Sequence, residues 1–196
     1  MEEDEEDNFL GGFHFVKDPN ESDINNLAPY LPTPGVWLDD VLNIAKTNPS
    51  DVVCDIGCGD GRIPIWAVQR FNTKKAIGVD IDEKLIDKCQ QNATERNIPA
   101  TRIKFMHADA TKLDDAFYDE ITVLVVYLIP DSFPILKDIF LKFLQSKSET
   151  ANNENQKRCV VIGWPVEFLK PVKTVLMGQE NMSTSSYVYL YDKNSI

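Results

Sequence analysis

Apolar and polar positions along this chain follow two alternating rhythms. Short apolar runs recur at "VVCDIG" (52–57), "KAIGVDI" (75–81), "IKFMHAD" (103–109), "EITVLVVYL" (120–128) and "RCVVIGWP" (158–165). Each reads as a strand, and the fourth is apolar at successive positions, as burial on both faces requires. Between them the apolar spacing lengthens to three and four. "RIPIWAVQRF" (62–71) predicts a helix in spite of Pro64, which a first helical turn tolerates. "DEKLIDKCQQNATERN" (82–97) predicts another, capped by Asp82, with Leu85, Ile86, Cys89 and Ala93 on one side and Pro99 past its end. "DSFPILKDIFLKFLQSK" (131–147) predicts a third, opened by Asp131, with Ile135, Leu136, Ile139, Phe140 and Phe143 turned inward. Ahead of the first strand, Pro29, Pro32 and Pro34 keep Tyr30–Pro34 extended. A helix then runs from Gly35 to Thr47, its apolar side built from Val36, Leu38, Val41, Leu42 and Ala45.

Strands alternating with helices predict an α/β fold, a Rossmann-like, mostly parallel sheet covered on both faces. After Pro165 there is little room for another long helix. "VKTVLM" (172–177) and "SSYVYLYD" (185–192) predict two last strands and an antiparallel C-terminal edge, making seven strands in all. One domain, residues 26–196, follows a tail of residues 1–25; "SETANNENQK" (148–157) is a polar loop.

The composition, 43% hydrophobic and 26% charged, is that of a globular protein, and no apolar run reaches the roughly 18 to 20 residues of a membrane span. Of the net charge of −11, most lies in residues 1–25, which hold nine acids against Lys17 alone. Such a run buries too little to offset its ordering entropy, so a disordered, solubilising tail is expected. The remaining body has no basic stripe, which disfavours binding to a nucleic-acid backbone. An acidic start is unlike a secretory or mitochondrial presequence; a cytoplasmic or nuclear protein is expected, and a mitochondrial one is not. Cys54, Cys58, Cys89 and Cys159 lack paired metal spacing and read as free buried thiols, with no metal site.

The first predicted strand runs into "DIGCGDGR", Asp55 to Arg62. Gly57, Gly59 and Gly61 let the backbone turn sharply and approach a ligand. A dinucleotide loop fails on pattern, because the last position of G-x-G-x-x-G/A counted from Gly57 is Arg62, and on charge, because Asp55 and Asp60 repel a pyrophosphate. A Walker loop fails for want of Gly-Lys-Ser/Thr. Glycines beside carboxylates suit a cationic, nucleoside-containing ligand, and S-adenosylmethionine has a sulfonium, an ammonium and an adenosine but no phosphate. Asp80, 19 residues beyond Gly61, ends the second strand where a carboxylate accepts from both ribose hydroxyls. Asp109 ends the third, where it accepts from the adenine amino group. Arg62 pairs either with Asp60 or with the methionine carboxylate.

"DIGCGDG" with "GVD" and "ADA" resembles the seven-strand, class I S-adenosylmethionine-dependent methyltransferases over residues 27–192. "PYLPTP", "CDIGCGDGRI", "GVDID" and "YLIP" together resemble a narrower group. It includes bacterial methyltransferase-domain proteins and the eukaryotic lysine methyltransferases that modify the mitochondrial adenine nucleotide carrier and an ATP synthase membrane subunit. The resemblance implies S-adenosylmethionine as cofactor, held by Asp55, Gly57, Gly59, Gly61, Asp80 and Asp109 with their neighbours Cys58, Ile81 and Ala110. It implies that Tyr30, Pro32 and Thr33 fold over it. Tyr127, Ile129 and Pro130, after the fourth strand, would face the transferred methyl group. "YLIP" differs from the Asn/Asp-Pro-Pro-aromatic motif that amide and adenine methylases place there, which favours a protein lysine amine as acceptor. Tyr127 reads equally as a strand-end aromatic bonded to backbone, Trp164 as an opposite wall or as core, Trp37 as core or lid packing, and His107 as a core histidine rather than a catalytic base. A small-molecule methyltransferase and a non-catalytic interaction protein on the same fold are the alternatives.

Overall fold

The computed structural model describes residues 30–146, 156–178 and 185–196. The expected acidic tail, the first residues of the expected domain (26–29) and most of the polar loop lie outside them. Strands β1 (Val52–Ile56), β2 (Lys75–Asp80), β3 (Ile103–His107), β4 (Val123–Val126), β5 (Arg158–Ile162), β6 (Lys173–Met177) and β7 (Ser186–Tyr191) form one sheet in the order β3-β2-β1-β4-β5-β7-β6. The first five are parallel, and β7 runs antiparallel to both β5 and β6. This is the seven-strand methyltransferase sheet the sequence predicts.

The unbroken apolar runs of the central strands serve two cores. Val53, Val125 and Val160 point to one, where helices α1 (Leu38–Ile44) and α2 (Arg62–Phe71) supply Val41, Leu42, Ile63 and Ile65. Cys54, Leu124 and Val161 point to the other, under Phe140 and Phe143 of helix α4 (Lys137–Gln145). Helix α3 (Glu83–Glu95) is capped by Asp82, which accepts from the Lys84 and Leu85 amides at 2.8 and 3.4 Å. No helix links β5 to β6 through residues 163–172; α1 covers β5, β7 and β6 in its place.

Three expectations are corrected. The first helix spans Leu38–Ile44 rather than 35–47, because residues 35–37 form a 3-10 turn that leaves Val36 58% exposed. The last helix begins at Lys137 rather than Asp131. Pro134 brings no N–H to a helical ladder, residues 130–136 pass through a 3-10 turn and further turns, and Ile135 projects outward, 58% exposed. His107 is not a core residue. It ends an edge strand, its ring is exposed, and Nε2 lies 3.0 Å from the Ile81 carbonyl.

At the other end of the sheet Asp51 is fully buried. It accepts from Arg158 and, at 2.7 Å, from the Thr122 hydroxyl, while Arg158 also donates to the Ala45 carbonyl at 2.6 Å. The starts of β1, β4 and β5 and the end of α1 are thereby tied to one buried charge pair.

Candidate active site

The sheet order reverses at β1, whose neighbours are β2 and β4, so a crevice opens beyond the carboxyl ends of these strands. The glycine loop fills its floor. Gly57 and Cys58 both donate to the Val79 carbonyl (2.8 and 3.1 Å), bending the loop over β2. Gly59 has φ 56° and lies so close to Tyr30 that a Cβ would sit 2.5 Å from the ring, hence the requirement for glycine. Two residues the sequence reading did not single out support the loop from α3: Cys89 donates its thiol to the Gly59 carbonyl (3.1 Å), and the Asn92 amide donates to the Asp60 carbonyl (2.9 Å). Cys89 had only an apolar position to mark it, and nothing local marks Asn92.

The expected ribose acceptor has a second task. Asp80 accepts from the Gly59 amide through one carboxylate oxygen (2.8 Å) and from the Asp82 amide through the other (3.0 Å), so the same side chain braces the loop and the start of α3. Two carboxylate oxygens offer about four acceptor sites, so the carboxylate as a whole has room for a further donor. Burial pushes its carboxyl above the ordinary range, against the backbone donors that favour the charged form.

Charge in the crevice is one-sided. Arg62 forms a two-pronged pair with Asp60, Nε to Oδ1 at 2.9 Å and Nη2 to Oδ2 at 2.6 Å, and gives Nη1 to the Thr33 carbonyl at 2.6 Å. Its pairing is thereby with Asp60. Burial acts to raise the Asp60 carboxyl, but the bonds and charge of Arg62 outweigh it and hold the group below its usual value. Asp55 is pushed well up, first by burial and then by the Asp80 and Asp60 charges. A ligand that brings positive charge relieves this arrangement, and S-adenosylmethionine fits it; a phosphate does not.

A pH dependence follows. Asp55 holds its proton above the ordinary carboxylate range, and a bound cation favours release. Affinity for S-adenosylmethionine is therefore expected to rise, by at most tenfold per pH unit, as pH climbs toward the Asp55 value, and to level off above it. Calorimetry in buffers of different ionisation enthalpy should count a proton released per ligand at the lower end; a flat profile with no proton release overturns the assignment. Stability runs the other way. The folded state holds this proton more tightly than the unfolded chain, so its contribution is present below the ordinary carboxylate range and fades as pH rises through the folded value.

Tyr30, Pro32, Thr33, Asp55, Gly57, Cys58, Gly59 and Tyr127 line one cleft. Gly61, at φ 81°, caps α2 behind it. Asp80, Ile81, Asp109 and Ala110 lie to one side, where the Ala108 amide, donating to the Asp80 carbonyl at 2.9 Å, joins the ends of β2 and β3. Asp109 accepts from the Thr111 amide (2.9 Å) and hydroxyl (2.6 Å) and pairs with Lys112 (3.0 Å); the Thr111 bonds chiefly hold its carboxyl low and ionised. Tyr127 is half-buried, edge-on to Trp37 at 6.3 Å between ring centroids, whereas Pro130 is exposed and lies outside the cleft. Trp164 is 39% exposed and so is not core. All four cysteines are free and buried. Among the described residues no group of histidines, cysteines and acids could hold a metal, and no helix is long and apolar enough to cross a membrane.

Residues 55–173 match the family model of the ANTKMT methyltransferase domain. A protein-lysine N-methyltransferase of Saccharolobus islandicus is 32% identical over 163 residues, 83% of this chain and 93% of that protein. An RNA methyltransferase from Salinibacter ruber, solved with S-adenosyl-L-homocysteine, has a TM-score of 0.68 at 27% identity, covering 82% of this chain and 92% of its own. TrmK of M. capricolum, also solved with S-adenosyl-homocysteine, shares the fold at 16% identity, with a TM-score of 0.58 over 84% of this chain and 70% of that one. Since the family model spans more than half of the sequence, and one relative matches nearly end to end, the chain belongs to the ANTKMT methyltransferase family, within the class I S-adenosylmethionine-dependent methyltransferases.

Proposed function

We propose that this methyltransferase modifies the side-chain amine of a lysine in a protein substrate. The observation that carries the reading is the segment at the end of β4, of which Tyr127 lines the cleft. Tyr127 is followed by Leu128, Ile129 and Pro130, a stretch with no carboxamide or acid to recognise an amide or a base edge. Burial pushes the Tyr127 phenol above its usual value, so it stays neutral and serves as a hydrogen-bond partner rather than a phenolate base. The kinship with the Saccharolobus islandicus protein-lysine N-methyltransferase supports the same acceptor.

A lysine arrives with a reference pKa of about 10.4, so baring its lone pair at pH 7 costs roughly 4 to 5 kcal/mol. An apolar setting beside Tyr127, whose ring packs edge-on to the buried Trp37, lowers that cost by disfavouring the ammonium. Bound S-adenosylmethionine supplies a methyl carbon already activated by sulfonium. Tyr127 accepts a hydrogen bond from the incoming nitrogen and aligns it for in-line attack. The lysine ammonium would lose one proton to solvent before the site is filled, its nitrogen would then take the methyl group as the bond to sulfur is lost, and the second proton would leave once the product is released. Alignment and exclusion of water carry most of the work.

An RNA acceptor is the second reading, favoured by the Salinibacter ruber neighbour. The lack of a basic stripe in the sequence after residue 25 opposes it, since an RNA backbone selects cationic surfaces. Full-length protein incubated with methyl-tritiated S-adenosylmethionine and a native extract should place label in protein, recovered as methyl-lysine after hydrolysis. Label confined to RNA or to metabolites overturns the lysine reading.

A further inference from the structure

We propose that Arg62 is a positioning residue that latches the Tyr30–Pro34 segment over the glycine loop, and that this latch sets how long the bound cofactor stays. The segment is proline-rich and extended and has no secondary structure of its own up to Pro34. Something outside it must hold it down, and the structure assigns that task to one guanidinium. Two of its nitrogens are engaged by Asp60, which fixes the plane and direction of the fork. The third is thereby aimed at the Thr33 carbonyl, 29 residues earlier in the chain, at 2.6 Å. Both side chains of the pair are nearly covered, 12% and 8% exposed, so the bond to Thr33 works in a poorly solvated setting. Tyr30 completes the contact, its ring on Gly59 and its hydroxyl among the partners of Asp60 and Arg62.

The arrangement separates two jobs within the loop. Asp55 and Asp80 have no basic partner among the described residues and are left for the ligand, whereas Asp60 is spent on Arg62 and acts through it on the segment above. A lysine at position 62 keeps a cation opposite Asp60 but lacks the planar fork that reaches Asp60 and Thr33 together.

The test uses the full-length protein with S-adenosyl-L-homocysteine as probe, and no acceptor, so its result stands apart from whether lysine is the substrate. Dissociation is followed by stopped-flow displacement, and backbone hydrogen exchange is read for Trp37, whose amide donates to the Pro34 carbonyl at the end of the segment (3.0 Å), against the amides of β1. Arg62→Gln is expected to speed dissociation roughly tenfold, the scale of one charge-assisted hydrogen bond. Exchange at Trp37 should rise while β1 keeps its protection. Arg62→Lys should show the same pattern to a smaller extent, and decides the question alone if Arg62→Gln does not fold. Unchanged dissociation, or faster dissociation with Trp37 as protected as before, overturns the latch. So does loss of protection throughout β1, which would make Arg62 a general stabiliser of the fold.

Discussion

Replacing Asp80 by alanine is expected to weaken S-adenosylmethionine binding by roughly 10- to 150-fold, equivalent to about 1.5 to 3 kcal/mol, the range for hydrogen bonds to a charged group. Two effects add. The variant loses the acceptor proposed for the ribose hydroxyls, and it frees the Gly59 and Asp82 amides that this carboxylate now holds. Asp80→Asn separates them, because it keeps one carbonyl acceptor for the loop but removes the charge and one acceptor. Calorimetric titration should therefore order the proteins wild type, Asp80→Asn, Asp80→Ala. Equal affinities in all three would place the ribose elsewhere.

The second large effect is on stability. Arg158→Met should cost about 3 to 5 kcal/mol, the range for breaking a buried ion pair from one side. The remaining Asp51 is fully buried and would keep only the Thr122 hydroxyl and the Asn48 amide as donors among the described residues. Urea unfolding should show a lower midpoint with an unchanged slope. The double variant Asp51→Leu/Arg158→Met should recover part of the loss, since no lone charge remains. If the single variant loses less than about 1 kcal/mol, the pair behaves as an exposed one.

Much of the site could be read from the sequence because its parts are local. Asp55, the glycines and Arg62 lie within eight consecutive residues, and Asp80 and Asp109 follow their strands directly. The strand runs were equally plain, since β1, β4 and β5 carry apolar residues at successive positions, apart from Asp55 and Arg158, to serve two cores. What stayed hidden depends on contacts across the fold. The bond from Arg62 to Thr33 spans 29 residues and that from Asn92 to Asp60 spans 32, and no periodicity announces either. His107 misled because its exposure follows from β3 being an edge, a property of strand order rather than of the strand. Val36 and Ile135 misled because apolar residues in a turn beside a helix extend its pattern without sharing its face.

That α1 occupies the face beside β5, β7 and β6 has a consequence for how the protein is made. Its partner Ala45–Arg158 contact joins residues 113 apart. At about 5 to 20 residues per second, the ribosome reaches the second residue roughly 6 to 23 seconds after the first. Through that interval Val41, Leu42 and Ile44 have only the β1, β4 and α2 part of their core, and the β5, β7 and β6 surface that α1 covers is not yet synthesised. Docking of α1 is thus a late event, and the emerging chain offers chaperones their earliest handle there.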